Sequence, residues 1–217
     1  METGVRMPDA VVYLGPSLPH EEARAICPTA TFLPPVRRGD LVAVLHSDTP
    51  LVCIIDGYFF QDAAVGHREI LSLLKAGKRV IGASSMGALR AAELDTLGME
   101  GVGLIYSLYR DGRLISDDEV ALVFDPESWH PLSDPLINIR CTLRLAEEEG
   151  VITRDERQLL LGAALGLFYP ERTYDRIAGT LPSDRRDALV AFIERSAVDQ
   201  KRRDAIEALE RIAAVIG

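Results

Sequence analysis

The chain has 217 residues, 47% of them apolar and 26% charged, which supplies a full core and excludes global disorder. A formal net charge of −9 argues against a nucleic-acid-coating surface and suits a chain that meets a basic patch on a protein partner. No apolar run reaches transmembrane length, and the start, M-E-T-G-V-R-M-P-D, lacks the apolar stretch of a secretory leader, so a soluble, cytoplasmic protein without a membrane partner is expected.

Residues 11–14 form a short buried-type strand, broken by G-P-S-L-P. Residues 21–26 follow as a helix and 30–33 as a second strand, stopped by Pro34 and Pro35. Residues 39–45 fit strand or helix; helix is preferred because another strand follows directly. That next strand, 51–55, is apolar throughout and ends in Asp56-Gly57. Residues 67–75 carry Ile70, Leu71, Leu73 and Leu74 at helical spacing and end at Gly77. Residues 78–83 are the next strand, a helix over 88–94 follows, and 102–106 is a further strand or turn.

Ser116-Asp117-Asp118-Glu119 before an apolar run has the form of a capping box, although adjacent carboxylates also suit a cation or a substrate. Beyond Pro131 the pattern is helical only. Residues 136–148 form one helix, Thr153 and Glu156 open another through 167, Ser183 starts a third, and 198–216 is amphipathic with Ile206, Leu209, Ile212, Ala213 and Ile216 on one stripe. Strands alternating with helices predict an α/β fold: a three-layer, mostly parallel sheet with helices on both faces, followed by an all-helical C-terminal region. The expected division is a core over residues 1–130 and a helical lid or partner-docking region over 131–217.

Residues 80–94, V-I-G-A-S-S-M-G-A-L-R-A-A-E-L, form the most informative stretch. A strand enters a knot of small residues and a helix leaves it, with Ser84 and Ser85 at the corner. A serine held there lies near the unpaired amides and positive dipole end of the helix, where an oxyanion is stabilised. Around Ser85 the string reads A-x-S-x-G, close to a nucleophile elbow; a serine N-cap with glycines for close packing explains it equally well. Such a nucleophile needs a base and an orienting acid. Of the four histidines, His67 opens the helix between the Asp56 strand and the Ser85 strand, and Asp56 or Glu69 is placed to hold its ring. Asp56 also reads as an Asp-Gly turn former and Glu69 as a helix-dipole partner. Arg90 suits a substrate carboxylate, or pairs with Glu93 at i+3.

Other chemistries lack support. No phosphate-binding glycine loop or dinucleotide fingerprint occurs, and no H-E-x-x-H or C-x-x-C, so no cofactor or metal is expected. Cys27, Cys53 and Cys141 are scattered and odd in number, as reduced thiols are.

Taken together, V-Y-L-G-P-S, I-D-G-Y-F, G-H-R-E-I-L, G-A-S-S-M-G-A-L-R-A-A-E-L, G-M-E-G-V-G-L-I-Y and D-D-E-V-A-L, spread over residues 11–124, resemble the TfuA family. The resemblance implies a partner of YcaO-type cyclodehydratases in peptide backbone thioamidation, one that supplies sulfur by hydrolysing a thiocarboxylated, ThiS-like sulfur carrier; a precursor peptide is a further partner. Joined to the corner geometry, it implies Ser85 as nucleophile, His67 as base, the Met86 and Gly87 amides as oxyanion donors, and Ser84 and Arg90 toward the substrate. Two alternatives stand beside it. One is a non-catalytic adaptor that docks YcaO and the carrier. The other is a serine peptidase, since S-M-G-A also resembles the serine site of ClpP-type proteases.

Overall fold

A computed structural model describes residues 9–59 and 63–216; most of the starting segment M-E-T-G-V-R-M-P-D lies outside them. Five strands, β1 (Ala10–Tyr13), β2 (Ala30–Leu33), β3 (Leu51–Ile54), β4 (Arg79–Ala83) and β5 (Glu100–Val102), form one parallel sheet in the order β2-β1-β3-β4-β5. The helices between them are α1 (His20–Ile26), α2 (Leu41–Leu45), α3 (His67–Lys75) and α4 (Met86–Leu94), and α5 (Gly103–Arg110) follows β5. The fold is α/β, as the strand–helix alternation predicts.

The strands alternate between two cores. Val12, Cys53 and Ile81 pack with Ala23 of α1 and with Ala205, Ala208, Leu209 and Ile212 of the last helix, α10 (Gln200–Ile216). Val11, Val52 and Val80 face the other way, against Leu41 and Val44 of α2, Ile70 and Leu73 of α3, and Ala91 and Leu94 of α4. Burial on both faces is why β1 and β3 read as unbroken apolar runs. The ambiguous segment over 39–45 resolves as α2, whose Leu41 and Val44 are the buried pair.

The chain divides into two compact units, 1–115 with 202–217 and 116–201. The contacts thus change hands near 115 and again at 201, where the apolar stripe of α10 packs on the sheet. The second unit holds α6 (Leu136–Glu148), α7 (Arg154–Gly166), α8 (Tyr174–Ala178) and α9 (Ser183–Ser196) around Ile139, Leu143, Leu160, Ile177, Leu189 and Phe192. The Thr153 capping box forms as read: Thr153 Oγ1 accepts from the Glu156 amide at 3.2 Å and Glu156 Oε2 from the Thr153 amide at 2.7 Å.

Two expectations are corrected. Only Val102 of 102–106 is strand; from Gly103 onward the chain is helix. The cap that starts α5 comes from far along the sequence, since Asp204 Oδ2 accepts from the Ile105 amide at 2.7 Å. Gly103, at φ +93°, makes the turn, and a Cβ there would lie 2.4 Å from the Asp204 carboxyl carbon. The 116–119 box opens only a 3-10 turn (Asp117–Glu119). Ser116 Oγ accepts from the Asp118 amide at 3.3 Å, but Glu119 turns to Arg140, whose Nε and Nη2 reach its oxygens at 2.8 and 2.7 Å. Asp118 accepts from the buried Arg172 at 2.7 Å, so these carboxylates tie the unit together. Among the described residues no helix is long and apolar enough to cross a membrane.

Candidate active site

In a doubly wound parallel sheet, ligands bind beyond the strand carboxyl ends where the strand order reverses. Here that point lies between β1 and β3. Tyr13 pairs with Ile54 and Ile54 with Gly82, so Gly15, Asp56 and Ser84, each two residues further on, fall level on one rim.

The β4–α4 corner is tight and strained. Ser84 has φ +64°; with Trp129 it is the non-glycine residue in the left-handed region among the described residues. Such a conformation costs about 1–3 kcal/mol and persists where surrounding structure enforces it. The enforcement is visible in two glycines. A Cβ on Gly82 would lie 2.1 Å from the Gly87 carbonyl oxygen, and one on Gly87 would lie 1.7 Å from that of Ile54. Helix α4 therefore rests on the backbones of β3 and β4, and the turn between has no room to relax.

Three polar side chains, Ser17, Asp56 and Ser84, meet at this corner at 3%, 2% and 0% exposure, and Ser85 beside them is 2% exposed. Ser84 Oγ donates to Ser17 Oγ at 3.0 Å, and Ser17 Oγ donates to Asp56 Oδ1 at 2.7 Å. Asp56 Oδ2 accepts from the Gly15 and Ser17 amides at 2.9 and 3.0 Å. In nucleotide-binding relatives of this architecture the first loop offers its amides to a phosphate. Here two of them hold a carboxylate of the chain itself.

The remaining candidates lie differently. Ser85 is the N-cap residue of α4, yet its side chain makes no capping hydrogen bond. The Gly87 amide donates to Ile55 O at 3.2 Å and is thereby occupied, which leaves Met86, at the first position of α4, as the amide of that pair at the helix's open end. His67 is half exposed and its Nε2 bonds Glu93 Oε2 at 2.7 Å; Arg90 Nη1 donates to the same oxygen at 2.6 Å and Arg90 Nε to Val65 O at 3.1 Å. Glu69 closes a box on the Gly66 amide at 3.1 Å and accepts from the Gly39 amide at 2.7 Å. The structure thus joins Ser84 to Asp56, and gives His67, Arg90 and Glu69 partners among α3, α4 and the loop before α2. The link is Ser17, which sequence reasoning left unassigned; its signal is the G-P-S break at the end of β1.

Two buried side chains beside the site are held in their neutral forms. Burial, with Asp40 and Glu69 nearby, pushes the Tyr13 phenol up to about 12, and burial pushes the Cys53 thiol well above its usual range. Among the described residues no group of three or more His, Cys, Asp or Glu stands close enough to hold a metal.

The family model described as TfuA-like protein matches residues 56–173, over half of the chain. The chain belongs to the TfuA-like family. No curated protein matches it. The family match takes in Asp56, His67, Ser84 and Ser85 and reaches into both compact units, while Ser17 lies before it. TfuA-like proteins are associated with YcaO-dependent thioamidation and with YcaO partners.

Proposed function

We propose that this TfuA-like chain is a serine-type thioacid hydrolase that releases sulfide from a thiocarboxylated, ThiS-like sulfur carrier beside its YcaO partner, with Ser84 as the attacking hydroxyl. The observation that carries this reading is the Ser84 hydroxyl: it stands on a strained strand–helix corner, at the switch-point rim, in a hydrogen-bonded chain that ends on a carboxylate. The strained strand–helix turn is the one a nucleophile elbow uses. Attack by Ser84 Oγ on the thioacid carbon forms the acyl-oxygen bond, the carbon–sulfur bond breaks, and the hydroxyl proton leaves on sulfur as hydrosulfide. Water then cleaves the acyl-serine to the free carboxylate and restores the hydroxyl. The developing oxyanion is stabilised by the positive end of α4, with Met86 as its amide donor. Ser85, beside the nucleophile, faces the same helix start.

The adaptor reading has one observation in its favour, the low exposure of all four polar side chains. The peptidase reading has less support: an amine must be protonated to leave, whereas hydrosulfide departs as an anion.

Incubation with thiocarboxylated ThiS and assay of free sulfide tests the proposal. Sulfide release is expected from the wild type and lost in Ser84→Ala with unchanged circular dichroism, and a fluorophosphonate probe is expected on Ser84 by peptide mapping. Full sulfide release in Ser84→Ala overturns Ser84 as nucleophile. Thioamidation by YcaO that persists in that variant favours the adaptor.

A further inference from the structure

We propose that Ser17 is a positioning residue that carries the Ser84 proton to Asp56, so that a hydroxyl relay does the work usually given to histidine; this rests on the hydrolase reading above. Three features of the geometry argue for it. The hydrogen bonds run in one direction, Ser84 Oγ to Ser17 Oγ at 3.0 Å and Ser17 Oγ to Asp56 Oδ1 at 2.7 Å, so each hydroxyl already donates toward the acid. The acid cannot turn away, because the Gly15 and Ser17 amides clamp its other oxygen at 2.9 and 3.0 Å. Ser17 is itself fixed, with amide and hydroxyl both bonded to the one carboxylate, and at 3% exposure it is sheltered from competing water.

His67 gives its Nε2 to Glu93 on the exposed side of α4. His20 gives its Nε2 to the Leu14 carbonyl at 2.8 Å. A preorganised chain of this kind costs no reorientation as the reaction proceeds.

The relay balances as follows. As Ser84 Oγ bonds to the thioacid carbon, its proton passes to Ser17 Oγ while the Ser17 proton passes to Asp56 Oδ1. When the carbon–sulfur bond breaks, Asp56 gives its proton back to Ser17 Oγ, and the Ser17 hydroxyl hands its own proton to the departing sulfur, which leaves as hydrosulfide. In the second half water attacks the acyl carbon, one of its protons restores the Ser84 hydroxyl, the other goes to solvent as the product acid ionises, and Asp56 ends as the carboxylate it began as. No oxidant, reductant or further reactant is required.

The test measures sulfide release from thiocarboxylated ThiS, and fluorophosphonate labelling of Ser84 across pH, in wild type, Ser17→Ala, Ser17→Thr and Asp56→Asn. A lost proton acceptor typically costs about 10²–10⁴-fold. Ser17→Ala is therefore expected to lose at least about 10²-fold in kcat with little change in KM. Ser17→Thr, which keeps the hydroxyl, is expected to stay within about tenfold of wild type, a rescue that a role of Ser17 in packing alone would not give. Thermal midpoints check that each variant folds, and Ser17→Thr decides the case if Ser17→Ala does not.

Wild-type kcat in Ser17→Ala, or a threonine variant as slow as alanine at an unchanged midpoint, overturns the relay and leaves the hydrolase reading standing. Absence of sulfide release from the wild type, with no label on Ser84, overturns both.

Discussion

Adding a single methyl group at Gly87 is expected to cost more stability than any other one-carbon change near the site. The Cβ would lie 1.7 Å from Ile54 O and 2.6 Å from Ile54 C, both backbone atoms of β3 that no rotamer change can move. Ordinary contact begins near 3.4 Å, so α4 would have to retreat by about 1.7 Å. That retreat breaks the 3.2 Å bond from the Gly87 amide to Ile55 O and opens the interface formed by Ala91 and Leu94. Overpacking costs about 1–3 kcal/mol and a stranded buried amide about 1–3 kcal/mol more, so Gly87→Ala is expected to lose about 2–6 kcal/mol. Gly162 in α7 is the control: a Cβ there meets nothing within 4 Å, and replacing a helical glycine gains about 0.5–1 kcal/mol. Urea unfolding followed by far-UV circular dichroism reads the first variant. Fluorescence of Trp129, the one tryptophan and a member of the 116–201 unit, reads the second. A Gly87→Ala midpoint within about 0.5 kcal/mol of wild type would refute the argument that the corner is held by backbone contact.

Three further outcomes follow from the same reasoning. Arg172 is fully buried and donates to Asp118 Oδ2 and to the carbonyls of Ala164, Leu167 and Asp118, so Arg172→Ala is expected to destabilise the 116–201 unit by about 3–5 kcal/mol, read by Trp129 fluorescence in urea. Arg172→Lys is expected to recover little, because an ammonium cannot span those acceptors. Arg185, with the Thr153 amide, lowers the Glu156 carboxyl to about 2; the stabilisation is complete above pH 4.5 and is lost as pH falls from there toward 2. The stability gap between wild type and Glu156→Gln is therefore expected to be open at pH 6 and to narrow steadily below pH 4.5 in denaturant titrations. Deleting residues 202–217 strips Ala205, Ala208, Leu209 and Ile212 from the sheet and removes the Asp204 cap from α5, so loss of cooperative unfolding in the sheet unit is expected by calorimetry.

Legibility in the sequence followed how far each determinant lies along the chain. Strands β1 and β3 were plain because residues buried on both faces leave an unbroken apolar run. The α7 start was plain because both halves of its capping box lie within four residues. Helix α5 was not, because its cap is the carboxylate of Asp204, about a hundred residues away. The same distance rule divides the site. The Ser84–Ser85 corner is a local pattern and stands out. Asp56 reaches the rim through register, which strand order and length foreshadow. Ser17 belongs to a loop with no periodicity, and its bond to Asp56 spans 39 residues. The Glu93 carboxylate that holds His67 is likewise 26 residues off, on the next helix, with β4 between.

The arrangement of the rim also bears on which bond such a site suits. A carboxylate reached through a hydroxyl accepts a proton less readily than an imidazole in direct contact, and it is a poor device for expelling an amine, which must be protonated as it leaves. Sulfur, a far better leaving group than an amide nitrogen, makes a weaker demand on the proton it carries away as hydrosulfide. The Gly15 and Ser17 amides, which in related architectures would draw in a phosphate, are already bonded to Asp56, so the rim disfavours an anionic phosphate there. A weak relay, a strained hydroxyl and a helix start together match the cleavage of a bond whose leaving group asks little. That is the chemistry proposed for delivering sulfide to a YcaO partner.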